Sequence, residues 1–191
     1  MVKVFLEDGT RCLLHRSFAC YYSPVLKEAF KRDLPEDRSH VHIVEHTDKE
    51  TSALFAEWLY KQHLEVDADG SNGVTTKSLV RLWVLAGMLA VPPLQNKVID
   101  LLHDIYKRDA TISTVCLRYV YDNTKKGSAL RRFFIHQCAN GLEPEVLQLE
   151  PQHFPQAMLL ELAITTRALL KTTYNVPADD PAQFYVEEFD D

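Results

Sequence analysis

Three side chains that bind metals or act in nucleophilic catalysis lie close together near the start of the sequence, namely Cys12, His15 and Cys20, with Ser17 between them. Thiolate and imidazole are preferred ligands of Zn²⁺, and a thiol beside an imidazole can form a nucleophile and its base. A structural zinc site needs four tetrahedral ligands, whereas this stretch supplies three at spacings unlike a C-x2-C pair. Because side chains alternate along a strand, Cys12 and His15 face opposite sides. We therefore expect neither a metal site nor a catalytic site here.

Other histidines and cysteines are also candidates for a metal site or a catalytic site. His40, His42 and His46 would share one face of an extended strand and could bind a metal or sense pH, but the solvated side of a sheet is the simpler interpretation. His136 and Cys138 are likewise interpreted as structural residues. The 6 glycines form neither a G-x-G-x-x-G nor a G-x-x-x-x-G-K-[ST] motif, so we predict no phosphate-binding loop and no cofactor.

The composition is typical of a soluble chain with one hydrophobic core. Of the 191 residues, 46% are hydrophobic and 25% charged, which suffices for one core and an appended helical segment. No apolar run approaches the roughly 18 residues of a membrane span, and no secretory signal is recognisable. We therefore expect an intracellular protein of the cytoplasm or nucleus, without a membrane partner. Four irregularly spaced cysteines favour reduced thiols.

The negative charge is concentrated at the C-terminal end. The net charge is −6, and the last 16 residues contain six acidic residues and no Lys or Arg, so the rest of the chain is formally neutral. Lys and Arg supply most nucleic-acid affinity by releasing counterions, and a neutral body without a basic stripe therefore argues against a nucleic-acid partner. The acidic residues are Asp179, Asp180, Glu187, Glu188, Asp190 and Asp191.

The spacing of apolar residues predicts a short β-rich start followed by helices. Alternation around Asp8-Gly9 predicts a hairpin over residues 2 to 14, and residues 40 to 46 alternate like a strand. Helical periodicity continues to about residue 172, and the acids and prolines that follow predict a flexible tail. Helices are predicted to begin at Ser23-Pro24, at a capping box from Thr47 to Glu50, at Thr75 or Thr76, and at Pro92-Pro93.

Several stretches, in the right order, resemble the BTB/POZ domain family, and more closely the small BTB domain-containing proteins of filamentous fungi. LLHRS (13 to 17) resembles the family's aromatic-x-His-Lys-x signature, and SPVL (23 to 26) with the later Phe30 resembles its S-x-x-F and later Phe. LFAEWLYKQHL (54 to 64) is similar to F-x-x-F-L-x-W-L-Y-T-G-x-L. The family's L-x-x-L-Y-x-L-A-D-K run is similar to LVRLWVLAGMLAVPPLQNKVIDLL (79 to 102). The fungal extension Y-E-N-T-x-x-G-S-x-L-R-R is similar to YVYDNTKKGSALRRFF (119 to 134). Together they span residues 2 to 135.

The resemblance implies an α/β (α+β) fold, in which a small mixed β-sheet is covered by a helical cluster and followed by a C-terminal helical extension. It implies a BTB/POZ domain over residues 1–107, a helical extension over 108–172 and an acidic flexible tail over 173–191. His15 is expected to be largely buried, with its ring bonded to backbone. The residues that carry the family signature, all expected to be structural, are His15, Ser23, Phe30, Trp58, Tyr60 and Ala86.

The start of the sequence departs from the family pattern. Family members begin with a helix and a Ser-Asp-Val strand, whereas this sequence opens at Met1-Val2-Lys3-Val4, so that helix and the Asp-bearing strand are expected to be absent. Family dimers commonly exchange these elements or pack them together. Their absence argues against homodimerisation by that route.

The resemblance implies a non-catalytic protein–protein interaction module, and most specifically a substrate adaptor of a cullin-based ubiquitin ligase. Family members that recruit the third cullin often carry a hydrophobic-x-Glu motif after the helix that ends near Phe30. Leu34-Pro35-Glu36 matches it, so Leu34 and Glu36 are the candidate cullin contacts, and the C-terminal helices or tail would reach an unidentified client. One alternative is a self-associating BTB scaffold or transcriptional co-regulator. A remote alternative is a metal or thiol enzyme built on the cysteines and histidines.

Overall fold

The structure is a computed structural model that describes the backbone of residues 2–6, 11–30, 41–44, 48–64, 66 and 74–173. Side chains are described for residues 13–30, 48–64, 66 and 74–170. Within these residues, three short strands precede or lie between the first helices. They are β1 (Val2–Leu6), β2 (Arg11–Leu14) and β3 (Val41–Val44).

The strands pair through their backbones in the order β2-β1-β3. β1 and β2 are antiparallel, with Val4 opposite Cys12. β1 and β3 are parallel, with Val4 opposite His42. Each strand has only 4 or 5 residues, so the sheet is a small part of the molecule.

The prediction of an α/β (α+β) fold, in which a small mixed sheet forms a layer covered by helices, is wrong: the three short strands pair through their backbones, but the fold is mostly helical. Of the residues whose side chains the structure describes, 78% are helical and 2% belong to a strand. Leu14 is the one strand residue in the described hydrophobic core, and the other core residues come from helices or the connections between them. A hairpin signal is a local property of a few residues, and it says nothing about how much of the core a sheet supplies. The described molecule is predominantly helical.

The described helices follow one another with short connections. A single turn of 3₁₀ helix, Thr114–Cys116, directly precedes α6. A second, Pro151–His153, lies between α8 and α9. The helices are α1 (Arg16–Tyr22), α2 (Pro24–Ala29), α3 (Lys49–Lys61), α4 (Thr76–Met88), α5 (Pro92–Asp109), α6 (Leu117–Asn123), α7 (Ala129–Gly141), α8 (Pro144–Leu149) and α9 (Gln156–Thr173).

Most of the predicted helix starts are confirmed. The Ser23 hydroxyl accepts a hydrogen bond from Leu26 N at 3.0 Å, and Pro24 is the first residue of α2. Thr75 caps α4, and Pro92 begins α5. The start of α3 differs, because its cap is the Asp48 carboxylate, which accepts from Thr51 N at 2.8 Å, while Thr47 lies outside the described residues. Each cap satisfies amide groups that the first helical turn leaves unpaired.

The helices share one hydrophobic core. α4 packs most extensively against α5, α3 packs on α4, and α7 packs on α9. The buried cluster extends from Leu14 to Met158, so residues on both sides of the predicted boundary at 107 contribute to it. The division into a domain and an extension stays a prediction, and residues 174–191 of the predicted tail lie outside the described residues. No helix in the described part combines the length and apolar character that a membrane span needs.

Candidate interaction surface

The six predicted signature residues occupy two kinds of environment. Ser23, Phe30, Trp58 and Ala86 are buried, whereas His15 and Tyr60 are exposed. Ser23 has a specific structural role, because its hydroxyl donates to Leu89 O at 2.7 Å and so connects the start of α2 to the end of α4. The buried members hold the helices in place, and the exposed members lie on a surface.

The expectation that His15 is buried and bonded to backbone through its ring is wrong. His15 is exposed, and its Nδ1 lies 3.0 Å from the hydroxyl of Tyr60. The same hydroxyl accepts from the backbone N–H of His15 at 2.9 Å, which leaves its own hydrogen available to Nδ1. His15 precedes α1 and Tyr60 lies in the last turn of α3, so this pair of contacts joins the two helices.

Around this pair lies a group of exposed apolar and aromatic side chains that we call the aromatic patch: Leu13, His15, Phe18, Tyr21 and Tyr60. The Phe18 ring packs edge-on against Tyr60 with 5.2 Å between centroids, and the His15 and Tyr60 rings are 5.6 Å apart. Tyr21 is the most exposed, at 80%, while Phe18 and Tyr60 are each 41% exposed. Large apolar side chains that are exposed at adjacent positions make this surface a candidate for contact with a partner.

The aromatic patch rests on the core rather than on a loop. Tyr21 contacts the ring of Tyr22 at 4.8 Å, and Tyr22 in turn contacts the buried Trp58 at 5.4 Å. Both contacts are edge-to-face, the favoured arrangement of aromatic pairs. The patch is therefore supported by the packing of α1 on α3.

The predicted cullin contacts, Leu34 and Glu36, lie outside the described residues. The last described residue before them is Phe30, whose backbone oxygen accepts a hydrogen bond from the Arg16 guanidinium of α1. The role of Leu34 and Glu36 stays a prediction.

The described residues contain no group of three or more His, Cys, Asp or Glu side chains that could hold a metal ion. Cys12 and His42 are described only as backbone in β2 and β3, and His40 and His46 lie outside the described residues. His136 is exposed on α7, and Cys138 of the same helix is buried. Within the described side chains, the metal-binding residue types therefore come together at most in pairs, such as Glu150 and His153.

Two of the described cysteines are poor nucleophiles. Burial raises the pKa of the Cys138 thiol to about 12. Burial also raises the pKa of Cys116, against the smaller opposing effects of a Ser113 hydrogen bond and of Lys77 and Arg81. Because the thiolate is the reactive form, both groups are held in their unreactive state at neutral pH.

We expect iodoacetamide to discriminate among the cysteines of the native protein. At about pH 8, Cys138 should react at least about 100-fold more slowly than in the unfolded chain and Cys116 should also be slowed, while the partly exposed Cys20 reacts readily. The raised pKa of Cys138 favours folding below about pH 9 and this contribution is lost as the pH rises towards 12. Mass spectrometry of tryptic peptides separates the four cysteines. Rapid labelling of Cys138 in the native protein would contradict its burial and support the thiol-enzyme alternative.

Sequence reasoning identified His15 and Tyr60 but treated them as scaffold, and it missed Phe18 and Tyr21 as surface residues. One signal was present in the sequence. Phe18 and Tyr21 are three residues apart, so they share one face of α1. The small residue Ala19 is fully buried on another face, and the two aromatic side chains are left on the solvent side.

Comparison of the sequence with models of known protein families finds no match, and comparison with curated proteins finds none either. The resemblance to the BTB/POZ domain therefore stays a prediction that depends on the motifs alone.

Proposed function

We propose that this chain is a non-catalytic protein–protein interaction module that binds its partner through the aromatic patch. The observation that carries the proposal is the exposure of Phe18, Tyr21 and Tyr60 on two helices that the core holds together. Aromatic residues are enriched at the energetic centres of protein interfaces, because they bury a large area with few rotatable bonds. An intracellular location, in the cytoplasm or nucleus, is part of this proposal.

The most specific form of the proposal is a substrate adaptor of a cullin-based ubiquitin ligase. It rests on the resemblance to the BTB/POZ family and on the Leu34-Pro35-Glu36 motif. In this form Leu34 supplies an apolar anchor and Glu36 a charge, a combination suited to a hot spot. The client would bind elsewhere, on the C-terminal helices or the acidic tail.

Calorimetric titration with a purified cullin N-terminal domain tests the proposal. We expect wild type to bind, and both Phe18→Ala/Tyr21→Ala and Leu34→Ala/Glu36→Ala to weaken binding by at least about tenfold. The control is Leu149→Ala, which removes a side chain that is 75% exposed on α8, far along the chain from the patch. Equal binding by the patch variant and the control would exclude the aromatic patch from the contact. No binding by wild type would exclude the adaptor function.

A second candidate function, self-association as a BTB scaffold or transcriptional co-regulator, is favoured by α9. That helix exposes Leu160 at 63% and Ile164 at 62%, four residues apart on one side, together with Leu159 at 42%. Light scattering at tens of micromolar chain distinguishes the candidates. Self-association predicts a mass above one chain that Leu160→Glu/Ile164→Glu returns to one chain. A strict monomer for wild type would exclude it.

A further inference from the structure

The hydroxyl of Tyr60 contacts one residue of the aromatic patch, His15, in two ways. It accepts from the backbone N–H of His15 at 2.9 Å, and it lies 3.0 Å from Nδ1 of the same residue. The two rings meet edge to face, at 89° to each other. His15 therefore offers Tyr60 one fixed donor and one nitrogen whose role depends on its proton.

The backbone hydrogen bond favours one tautomer of neutral His15. A backbone N–H only donates, so the Tyr60 oxygen is the acceptor there and its own hydrogen is left for Nδ1. A nitrogen that accepts carries no hydrogen, which places the proton of the neutral ring on Nε2. In the other tautomer both donors would point at the Tyr60 oxygen, and the phenol hydrogen would have no acceptor within the described residues.

Protonation of His15 reverses the second hydrogen bond. Both ring nitrogens of an imidazolium are donors, so Tyr60 can no longer donate to Nδ1. The Tyr60 oxygen can instead accept from Nδ1–H as well as from the backbone N–H, while its own hydrogen turns outwards. The contact between the start of α1 and the end of α3 is kept, and the direction of one hydrogen bond changes.

The charge that protonation adds belongs to the aromatic patch. His15 is exposed, and no described carboxylate forms an ion pair with it. The nearest charged groups along α1 and α3 have other partners, since Arg16 donates to Phe30 O and Glu57 pairs with Lys61 at 2.8 Å. The remaining charged side chains of α2 and α3 are Lys27, Glu28, Lys49 and Glu50, and Arg11 of β2 is described only as backbone.

We propose that His15 and Tyr60 form a proton-controlled switch on the aromatic patch. When His15 is neutral, Tyr60 donates to Nδ1 and the patch is uncharged. When His15 is protonated, Nδ1 donates to Tyr60, the patch gains a positive charge, and the Tyr60 hydrogen becomes available to a carboxylate of a partner. Histidine side chains change charge between about pH 8 and about pH 5, which is the range of the switch. Its effect on partner binding rests on the proposed function, whereas the switch itself does not.

NMR of the full chain labelled with ¹⁵N tests the switch with no partner present. Long-range ¹H–¹⁵N spectra distinguish the two neutral tautomers from the imidazolium, and His15→Gln identifies the His15 signals among the 8 histidines. At about pH 8 we expect the proton of His15 on Nε2 alone, and at about pH 5 protons on both nitrogens. A proton on Nδ1 at the higher pH, or a neutral ring at the lower pH, overturns the proposal. Because these spectra need no partner, failure of the cullin titration leaves their outcome unchanged.

Tyr60→Phe keeps the ring and removes the hydroxyl, so it isolates the hydrogen bonds. We expect neutral His15 to lose its preference for the Nε2–H tautomer, and its backbone amide to exchange with solvent at least about tenfold faster. The matched control is Tyr21→Phe, which removes a hydroxyl from an 80% exposed tyrosine of α1 and should change neither quantity. Unchanged tautomer and exchange in Tyr60→Phe would overturn the role of Tyr60.

The wild-type amide of His15 provides the last check. Relative to the intrinsic exchange rate at each pH, its protection should persist at about pH 5, because Tyr60 accepts from this N–H in both states. Loss of the protection on acidification would show that the contact breaks rather than reverses, and would overturn the switch.

Discussion

Replacing Arg131 with alanine is expected to lower the free energy of unfolding by about 1–3 kcal/mol. The Arg131 guanidinium is buried, with the residue 9% exposed, and it donates to Tyr121 O at 2.7 Å, to Thr124 Oγ1 at 3.0 Å and to Thr124 O. It also lies over the Tyr121 ring, 4.3 Å from its centroid. The Tyr121 carbonyl lies in the last turn of α6 and Thr124 is its C-cap, where helical backbone leaves acceptors unpaired. Alanine would leave the buried Tyr121 oxygen and the partly buried Thr124 oxygens without this donor.

Urea denaturation followed by circular dichroism measures the change. The free energy of unfolding of Arg131→Lys should lie between those of wild type and Arg131→Ala. Lysine keeps the charge but lacks the planar guanidinium that reaches several acceptors. The matched control is Arg132→Ala, an exposed arginine on the same helix, which should change the free energy of unfolding by less than about 0.5 kcal/mol. Equal unfolding midpoints for Arg131→Ala and Arg132→Ala would contradict the role of Arg131.

Trp58→Ala is expected to destabilise the protein by about 3–5 kcal/mol. Trp58 is 3% exposed in α3 and supports Tyr22, which in turn contacts Tyr21 of the aromatic patch. Removing the indole creates a cavity beneath α1 that the neighbouring helices fill only in part. The same variant should therefore also loosen the patch.

The comparison for Trp58 is Trp83→Ala on α4. Trp83 is only partly buried, and its Nε1 has no hydrogen-bond partner within the described residues, so its loss should cost less than the loss of Trp58. Thermal unfolding of both variants under one set of conditions provides the measurement. A larger destabilisation by Trp83→Ala than by Trp58→Ala would show that the surroundings of Trp58 are not more tightly packed than those of Trp83.

The helix starts could be predicted from the sequence because capping is a local interaction. Ser23, Thr75 and Pro92 each act within a few residues, so the type and spacing of nearby side chains suffice. At α3 two adjacent residues, Thr47 and Asp48, could both cap, and the structure uses Asp48, which also pairs with Arg81 of α4. That second contact is tertiary, and local spacing does not reveal it.

The balance of helix and sheet could not be predicted in the same way. Alternation near Asp8-Gly9 concerns a few residues, whereas the described core is built by helices that lie far apart in sequence. The interpretation of His15 failed for a related reason. Its exposure depends on Tyr60, 45 residues further along the chain, whose hydroxyl takes the place of the expected backbone partner.

The candidate sites also depend on contacts between distant residues, which local sequence patterns do not reveal. Leu34 and Glu36 were predicted from a short motif, and they remain a prediction because they lie outside the described residues. From the sequence, His136 is interpreted as a structural residue. Its position near His103 and Tyr106 of another helix follows only from the structure.

Hydroxyl-radical footprinting measures whether a partner protein covers the aromatic patch, as we propose. The chain is oxidised alone and with a saturating amount of the cullin N-terminal domain, and the modification of each side chain is measured by mass spectrometry. The account predicts protection of Phe18 and of Tyr21, which is 80% exposed in the free chain, and no change at Leu149. Unchanged oxidation of Phe18 and Tyr21 in the presence of the cullin domain would contradict it.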